Sequence, residues 1–239
     1  MKKAIVTLAV GHKEPYRAGI LSAQKYANKL GVDYYVIDNV YINYRFPHFE
    51  KLQALELLKS GYDRVLYLDG DTLVTPNAED MFKVYEDDTK FYAYDENAHP
   101  ELKGMDRDPD VLDVSKGIQW EKNDKGKYKY FNAGVMLFSK IHQDVFSKYR
   151  EVPDLPKMWG YAEQTCLNYL IAKNNVKWES LDYKFNRMDL GNKDLNNDRF
   201  KASIIHYAGP CLYTELNVPS KYHQIIKDYT TLYENGNKQ

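Results

Sequence analysis

Near the start of the chain, Ala4-Ile5-Val6-Thr7-Leu8-Ala9-Val10 form a nearly continuous apolar run rich in branched side chains. A half-exposed strand or an amphipathic helix would break such a run with polar residues, whereas a strand buried on both faces of a parallel sheet would not. The rhythm then changes. Ile20, Ala23, Ala27 and Leu30 fall at helical spacing, and Gly31 stands where a left-handed cap would end the helix. Val32 to Ile37 predicts a second strand, and Leu52, Leu55 and Leu58 predict a helix over Phe49 to Ser60. Arg64 to Leu68 predicts a third strand. This alternation with tight turns implies an α/β chain with an open, mostly parallel mixed sheet. Ligands of such sheets sit outside the carboxyl ends of the strands.

Further strands are expected at Lys90–Tyr94, Phe131–Phe138, Val176–Leu181 and Ala202–Tyr207. A helix is expected from Glu163 to Lys173, with Ala162, Cys166, Tyr169 and Leu170 inward. No Pro/Gly/Ser-rich or highly charged stretch divides the 239 residues, so residues 1–239 read as a single domain. The polar stretch from Asp95 to Lys129 has little periodicity and reads as a lid or acceptor loop. Tyr222, Ile225, Ile226, Tyr229, Leu232 and Tyr233 have helical spacing. Such a helix could lie on a membrane surface, but Lys227, Asp228 and Glu234 mix charges on its polar face and favour docking on the core.

Lys and Arg number 33 against 34 Asp and Glu, a net charge of −1 that lacks the positive field non-specific nucleic-acid binding needs. No nucleic-acid partner is expected. Cys166 and Cys211 show no metal-finger spacing and read as free thiols in a reducing compartment. The opening apolar run stops at His12-Lys13-Glu14 without a cleavage site, and no run approaches the ~20 residues of a spanning helix. The expectation is a cytoplasmic protein with no transmembrane segment and at most peripheral membrane contact.

The chemistry concentrates in Leu68-Asp69-Gly70-Asp71-Thr72, at the carboxyl end of the third strand. Residues i and i+2 leaving a strand point the same way, so both carboxylates can converge on one hard cation, and Gly70 admits close approach. A divalent cation there would neutralise a diphosphate and stabilise it as a leaving group. Taken alone, Asp-x-Asp is a weak signal, because any turn with two acids gives the same string.

The surroundings strengthen it. Tyr62 to Val74, preceded by Lys51-Leu52, resembles the metal-binding region of glycosyltransferase family 8, the group of glycogenin, galactinol synthase and bacterial galactosyltransferases. Strand one with Thr7 and Ala9, Phe131-Asn132-Ala133-Gly134-Val135, Glu163-Gln164 with Leu167-Asn168, and Ile205-His206-Tyr207-Ala208-Gly209 follow in the family's order. The resemblance implies a GT-A fold, a single Rossmann-like domain, a nucleotide-sugar donor that is typically a UDP-hexose, and Mn²⁺ or Mg²⁺ as cofactor. It makes Asp69, Asp71 and His206 the metal ligands, a mixed carboxylate and imidazole set suited to Mn²⁺. His206 alone would read as an ordinary structural histidine.

By the same resemblance, Thr7 and Ala9 meet the nucleotide and Tyr16 stacks on the base, although simple packing would also account for this tyrosine. Lys51 lies near the donor, unless it is an exposed helix residue. Asn132 and Ala133 lie under the donor sugar with Gly134 permitting the approach, and Gly70 and Gly209 admit the phosphates. Glu163 and Gln164 open a helix at the sugar's β-face and are the catalytic candidates, though a carboxylate at a helix start is also favoured by the dipole alone. Two departures stand out. Glu163 replaces the family's usual Asp, and Pro210-Cys211-Leu212-Tyr213 follows where a diphosphate-binding Lys is usual, so the phosphate clamp is Lys221, Lys51 or less complete.

The family retains anomeric configuration, which implies either a β-face nucleophile or same-face attack. Gln164 is a poor nucleophile, so same-face attack with Gln164 as an orienting group is the expected mode. A nucleotidyltransferase would share the sheet and paired Asp, but Gly11-His12-Lys13-Glu14 is a poor phosphate loop. An inactive nucleotide-sugar-binding module is the other alternative. The acceptor stays open between glycan, lipid-linked sugar and protein. Its contacts are expected from the Asp95–Lys129 loop and the Tyr183–Arg199 region.

Overall fold

The first apolar run is strand β1 (Lys3–Leu8), and it lies between two parallel neighbours, β2 (Asp33–Ile37) and β3 (Arg64–Asp69). A computed structural model describes residues 1–11, 14–99, 118–152, 162–188, 198–208 and 219–235 of the chain. Within β1 the side chains alternate between two apolar layers. Ala4 and Val6 pack with Leu52, Leu55, Leu58 and Phe138, while Ile5 packs with Ala23, Ala27 and Leu66. Both faces are covered, which is why the run has no polar gap. Helix α1 (Arg17–Leu30) makes the first crossover and ends at Gly31, whose φ of 66° is the expected left-handed cap.

The main sheet has the order β2-β1-β3-β6-β5-β7, with β5 (Phe91–Asp95), β6 (Phe131–Ser139) and β7 (Trp178–Ser180) completing it. Strand β6 is antiparallel to both β3 and β5, and every other pairing is parallel. The start of β6 therefore lies beside the ends of β3 and β5. A second sheet of order β4-β9-β8 joins β4 (Thr72–Val74), β8 (Arg187–Met188) and β9 (Ile204–His206). Its register sets Thr72 opposite His206, so the strand leaving Asp71 brings in the histidine.

The other described α-helices are α2 (Ala54–Lys59), α3 (Met81–Val84), α4 (Gln143–Ser147), α5 (Ala162–Lys173) and α6 (Lys221–Tyr229). The helix expected over Phe49–Ser60 is split. A 3-10 segment, Pro47–Gln53, precedes α2, and its Phe49, Glu50, Lys51 and Leu52 are all buried. Four consecutive inward residues do not fit one face of an α-helix.

Helix α6 docks on the core rather than presenting a free apolar face. Its Ile225 and Tyr229 pack with Ala18, Leu73, Ile205 and Tyr207. Asp228, buried on α6, accepts hydrogen bonds from Arg199 at 2.7 and 2.8 Å, from the Tyr207 hydroxyl at 2.7 Å and from Gln224 at 2.6 Å. Among the described residues, no helix is long and apolar enough to cross a membrane. Cys166 is a free, buried thiol whose pKa burial pushes up to about 12. Cys211 lies outside the described residues, as does most of the stretch expected to be a lid.

Candidate active site

Asp69 is the last residue of β3, and the turn into β4 is closed by the Thr72 hydroxyl donating to the Asp69 carbonyl at 2.7 Å. A Cβ on Gly70 would lie 2.4 Å from the Leu8 carbonyl oxygen and 2.6 Å from the Tyr16 ring, so only glycine fits this turn. A Cβ on Gly19 would lie 2.4 Å from the Gly70 carbonyl oxygen. Helix α1 is thus pressed directly against the Asp-Gly-Asp backbone.

His206 arrives through the β4–β9 pairing. Its Nε2 is 3.5 Å from Asp71 Oδ1 and 4.0 Å from Asp69 Oδ2, and one ligand atom from each of the three residues lies within 4.8 Å of the others. Two carboxylates and an imidazole so arranged could hold a divalent cation. The other ring nitrogen, Nδ1, is 2.9 Å from Asn186 Oδ1. The sequence assigned Gly134 to the approach of a sugar. In the fold it makes room for the histidine: a Cβ there would lie 2.1 Å from the His206 ring.

Two lysines neutralise the two aspartates. Lys51 is buried rather than an exposed helix residue. Its Nζ bonds Glu163 Oε1 at 3.1 Å and the Ala133 carbonyl at 3.1 Å, and lies 3.5 Å from Asp69 Oδ1. Burial works to lower the Lys51 pKa, but the charges of Asp69 and Glu163 outweigh it and hold it raised. Glu163 answers in kind, since burial would raise its carboxyl and Lys51 brings it below the usual range. Tyr67 donates to Asp69 from beneath. Lys221, at the start of α6, bonds Asp71 Oδ2 at 2.7 Å. Burial would also raise Asp71, yet its hydrogen bond and charge contact with His206, followed by Lys221, hold it well below the ordinary carboxylate value.

Asn132, Ala133 and Gln164 meet at the start of β6. Pairing with β3 stops at Val135, and pairing with β5 jumps from Met136 to Asn132, so Ala133 and Gly134 have no ladder partner on either side. Such an irregularity re-aims the backbone at a site. The Ala133 N–H donates to Gln164 Oε1 at 3.0 Å, and the Gly134 N–H donates to Asn132 Oδ1 at 2.9 Å. Glu96 accepts from Asn132 Nδ2 at 2.8 Å and from Gln164 Nε2 at 3.3 Å.

A cleft of about 200 Å³ opens above the aspartates, lined by Leu8, Val10, Tyr16, Pro47, His48 and Lys221 among others. Thr7 and Ala9 are fully buried, and it is Leu8 and Val10 that face the opening. Tyr16 lines the cleft with its ring 5.6 Å from that of Tyr222, edge to face, and burial together with that neighbour pushes its phenol up to about 12. Gly209 lies outside the described residues. Glu96 and Asn186 escaped sequence reasoning. Glu96 had a signal, an acid directly following an apolar strand as Asp69 ends β3, whereas Asn186 had none.

Residues 40–211 match the model of a family described as glycosyl transferase family 8. A crystal structure of a glycosyltransferase involved in glycosylation of the major capsid of PBCV-1 is similar with a TM-score of 0.62 at 13% identity, over 95% of this chain and 100% of that one. The galactosyltransferase LgtC, in complex with donor and acceptor sugar analogs, gives a TM-score of 0.52 at 18% identity over 96% of both chains. No curated protein sequence matches. At such identities the structural neighbours establish the GT-A fold alone. The family match covers more than half of the chain, including Asp69, Asp71 and His206, and the chain belongs to glycosyltransferase family 8.

Proposed function

We propose that the chain is a metal-dependent hexosyltransferase that moves glucose or galactose from a UDP-sugar to an acceptor hydroxyl with retention of configuration. The observation that carries this reading is the convergence of Asp69, Asp71 and His206 within 4.8 Å, with both aspartates lining an open cleft. Bound there, Mn²⁺ or Mg²⁺ would neutralise the diphosphate and stabilise it as a leaving group. Lys221 faces the cleft, whereas Lys51 is enclosed by its acceptors, so Lys221 is the lysine placed to reach the diphosphate. Asn132 and Gln164 would orient the hexose through their amides.

Retention by same-face attack fits the state of the carboxylates. Glu163 is committed to Lys51 and Glu96 accepts from two amides, so neither is presented as a free nucleophile. In this mode the bond from the anomeric carbon to the phosphate oxygen breaks as the bond to the acceptor oxygen forms. The acceptor's hydroxyl proton passes to the departing phosphate. A glycan, lipid-linked sugar or protein hydroxyl would serve as acceptor.

Calorimetric titration of UDP tests the metal requirement. Binding is expected with Mn²⁺ and is expected to weaken sharply with excess chelator. Equal affinity in both would remove the metal from the mechanism. Asp71→Ala should reduce turnover on the order of 10²–10³-fold or more and lower UDP affinity as well, because the cation serves ground state and transition state together. Hydrolysis of nucleotide sugars with Mn²⁺ needs no acceptor. Hexose release from UDP-sugars supports the assignment, release from GDP-sugars alone would sink it, and no release from any would favour an inactive binding module.

A further inference from the structure

We propose that Asn186 is a positioning residue that fixes a proton on His206 Nδ1. That leaves Nε2, which faces Asp69 and Asp71, as the nitrogen a cation would engage in place of any proton there. The purpose given to Nε2 rests on the metal reading above, but the proton on Nδ1 rests on hydrogen bonds alone.

The argument begins at a backbone group whose role cannot be reversed. The Gly134 N–H can only donate, so the Asn132 side-chain atom 2.9 Å from it is the oxygen. Asn132 is fixed from its other end too. Its nitrogen faces Glu96 Oε1 at 2.8 Å and Gln164 Oε1 at 3.3 Å, and the latter is itself identified as oxygen by the Ala133 N–H. The Asn186 atom 3.0 Å from Asn132 Oδ1 must therefore be the nitrogen. Its oxygen is then the atom 2.9 Å from His206 Nδ1, and Nδ1 must carry the hydrogen.

Water offers no way around this sequence of donors and acceptors. Asn132 is 6% exposed, Asn186 0%, His206 4% and Gln164 4%. Turning the Asn186 amide over would set its oxygen against Asn132 Oδ1, two acceptors face to face in a buried site. The donors that fix the chain come from Ala133 and Gly134, the two β6 residues without ladder partners. Absence of a Cβ on Gly134 lets the imidazole settle over that backbone. The strand irregularity thus supplies both the space for the ring and the polarity that fixes its Nδ1 proton. Orientation of a metal-ligating histidine through its second nitrogen is a general means of presenting the first.

Nitrogen NMR of the full chain without metal reads the protonation of the ring directly. The unaltered protein is expected to show a protonated Nδ1 on His206, whether or not Nε2 also carries a proton. Asn186→Leu, close in size but without an acceptor, should let His206 give up the Nδ1 proton. Mn²⁺ affinity, followed by the paramagnetic resonance of the free ion, should fall roughly 10–100-fold. Asn186→Asp keeps an acceptor opposite Nδ1 and, protonated on its other oxygen, a donor toward Asn132 Oδ1, so it should preserve the Nδ1 proton, a distinction that loss of packing would not produce. A bare Nδ1 on His206 in the unaltered chain overturns the proposal without any variant having to fold. A retained Nδ1 proton in Asn186→Leu overturns it as well. Failure of the unaltered chain to bind Mn²⁺ while showing the Nδ1–H signal would overturn the metal reading and support the Nδ1 assignment.

Discussion

Asp69 and Asp71 are separated by one glycine, yet the lysines that face them belong to different parts of the molecule. Lys51 is 1% exposed and held by Asp69, Glu163 and the Ala133 carbonyl. Lys221 is 24% exposed, and among the described residues its ion pair is with Asp71. The first pair continues inward through Glu163 and Gln164 to the start of β6, and the second opens into the cleft beside Tyr16 and Tyr222. A charge enclosed by several acceptors belongs to the scaffold, because releasing it would strand partners in a low-dielectric interior. A half-open charge can exchange one anion for another at little cost. The same electrostatic task is therefore split between a fixed cation and a releasable one.

Lys51→Met is the most severe way to break this division. It leaves Asp69 and Glu163 without their buried counter-charge, and denaturant unfolding should show a loss of about 3–5 kcal/mol. A loss below ~1 kcal/mol would mean that Lys51 is as releasable as Lys221. Gln164→Ala comes next. It should reduce turnover ~10–1000-fold while barely changing UDP affinity, since UDP lacks the sugar. Because the Ala133 N–H and Asn132 lose an acceptor, it should also cost about 1–3 kcal/mol of stability. Normal turnover with an identified acceptor would reject the catalytic role. Lys221→Met should be the mildest, with stability changed by less than ~1 kcal/mol. Its UDP affinity should weaken ~10-fold, as expected for one charge-assisted contact of about 1.4 kcal/mol. Unchanged UDP affinity would remove Lys221 from diphosphate binding.

The parts legible from sequence were those written in local pattern. The run from Ala4, the cap at Gly31 and the acids after Leu68 each carry their meaning within a few residues. A strand that is apolar on both faces gives no parity signal, so the pattern could not say that Leu8 and Val10, rather than Thr7 and Ala9, would face the cleft. Nor does such a run record its direction, which is why the reversal of β6 emerged only from its pairing. Lys51 looked as much like a surface lysine as a site residue, because the partner that explains its burial, Glu163, lies 112 residues away. Asn186 stands in an irregular segment, and its meaning comes from His206 and Asn132, to which it is joined only in space.

The anchoring of α6 through Asp228 bears on the order in which a ribosome delivers the site. Lys51 is made before Asp69, but the Ala133 carbonyl and Glu163 that help to hold it follow later. Lys221 follows Asp71 by 150 residues, an interval of ~8–30 s at translation rates of about 5–20 residues per second. Asp71 must spend that interval without its lysine. Lys221 takes its place once Asp228 has closed on Arg199, Tyr207 and Gln224, three partners that are also made late. During synthesis the acidic turn therefore waits on chain made long after it, and helix α6 is what balances Asp71.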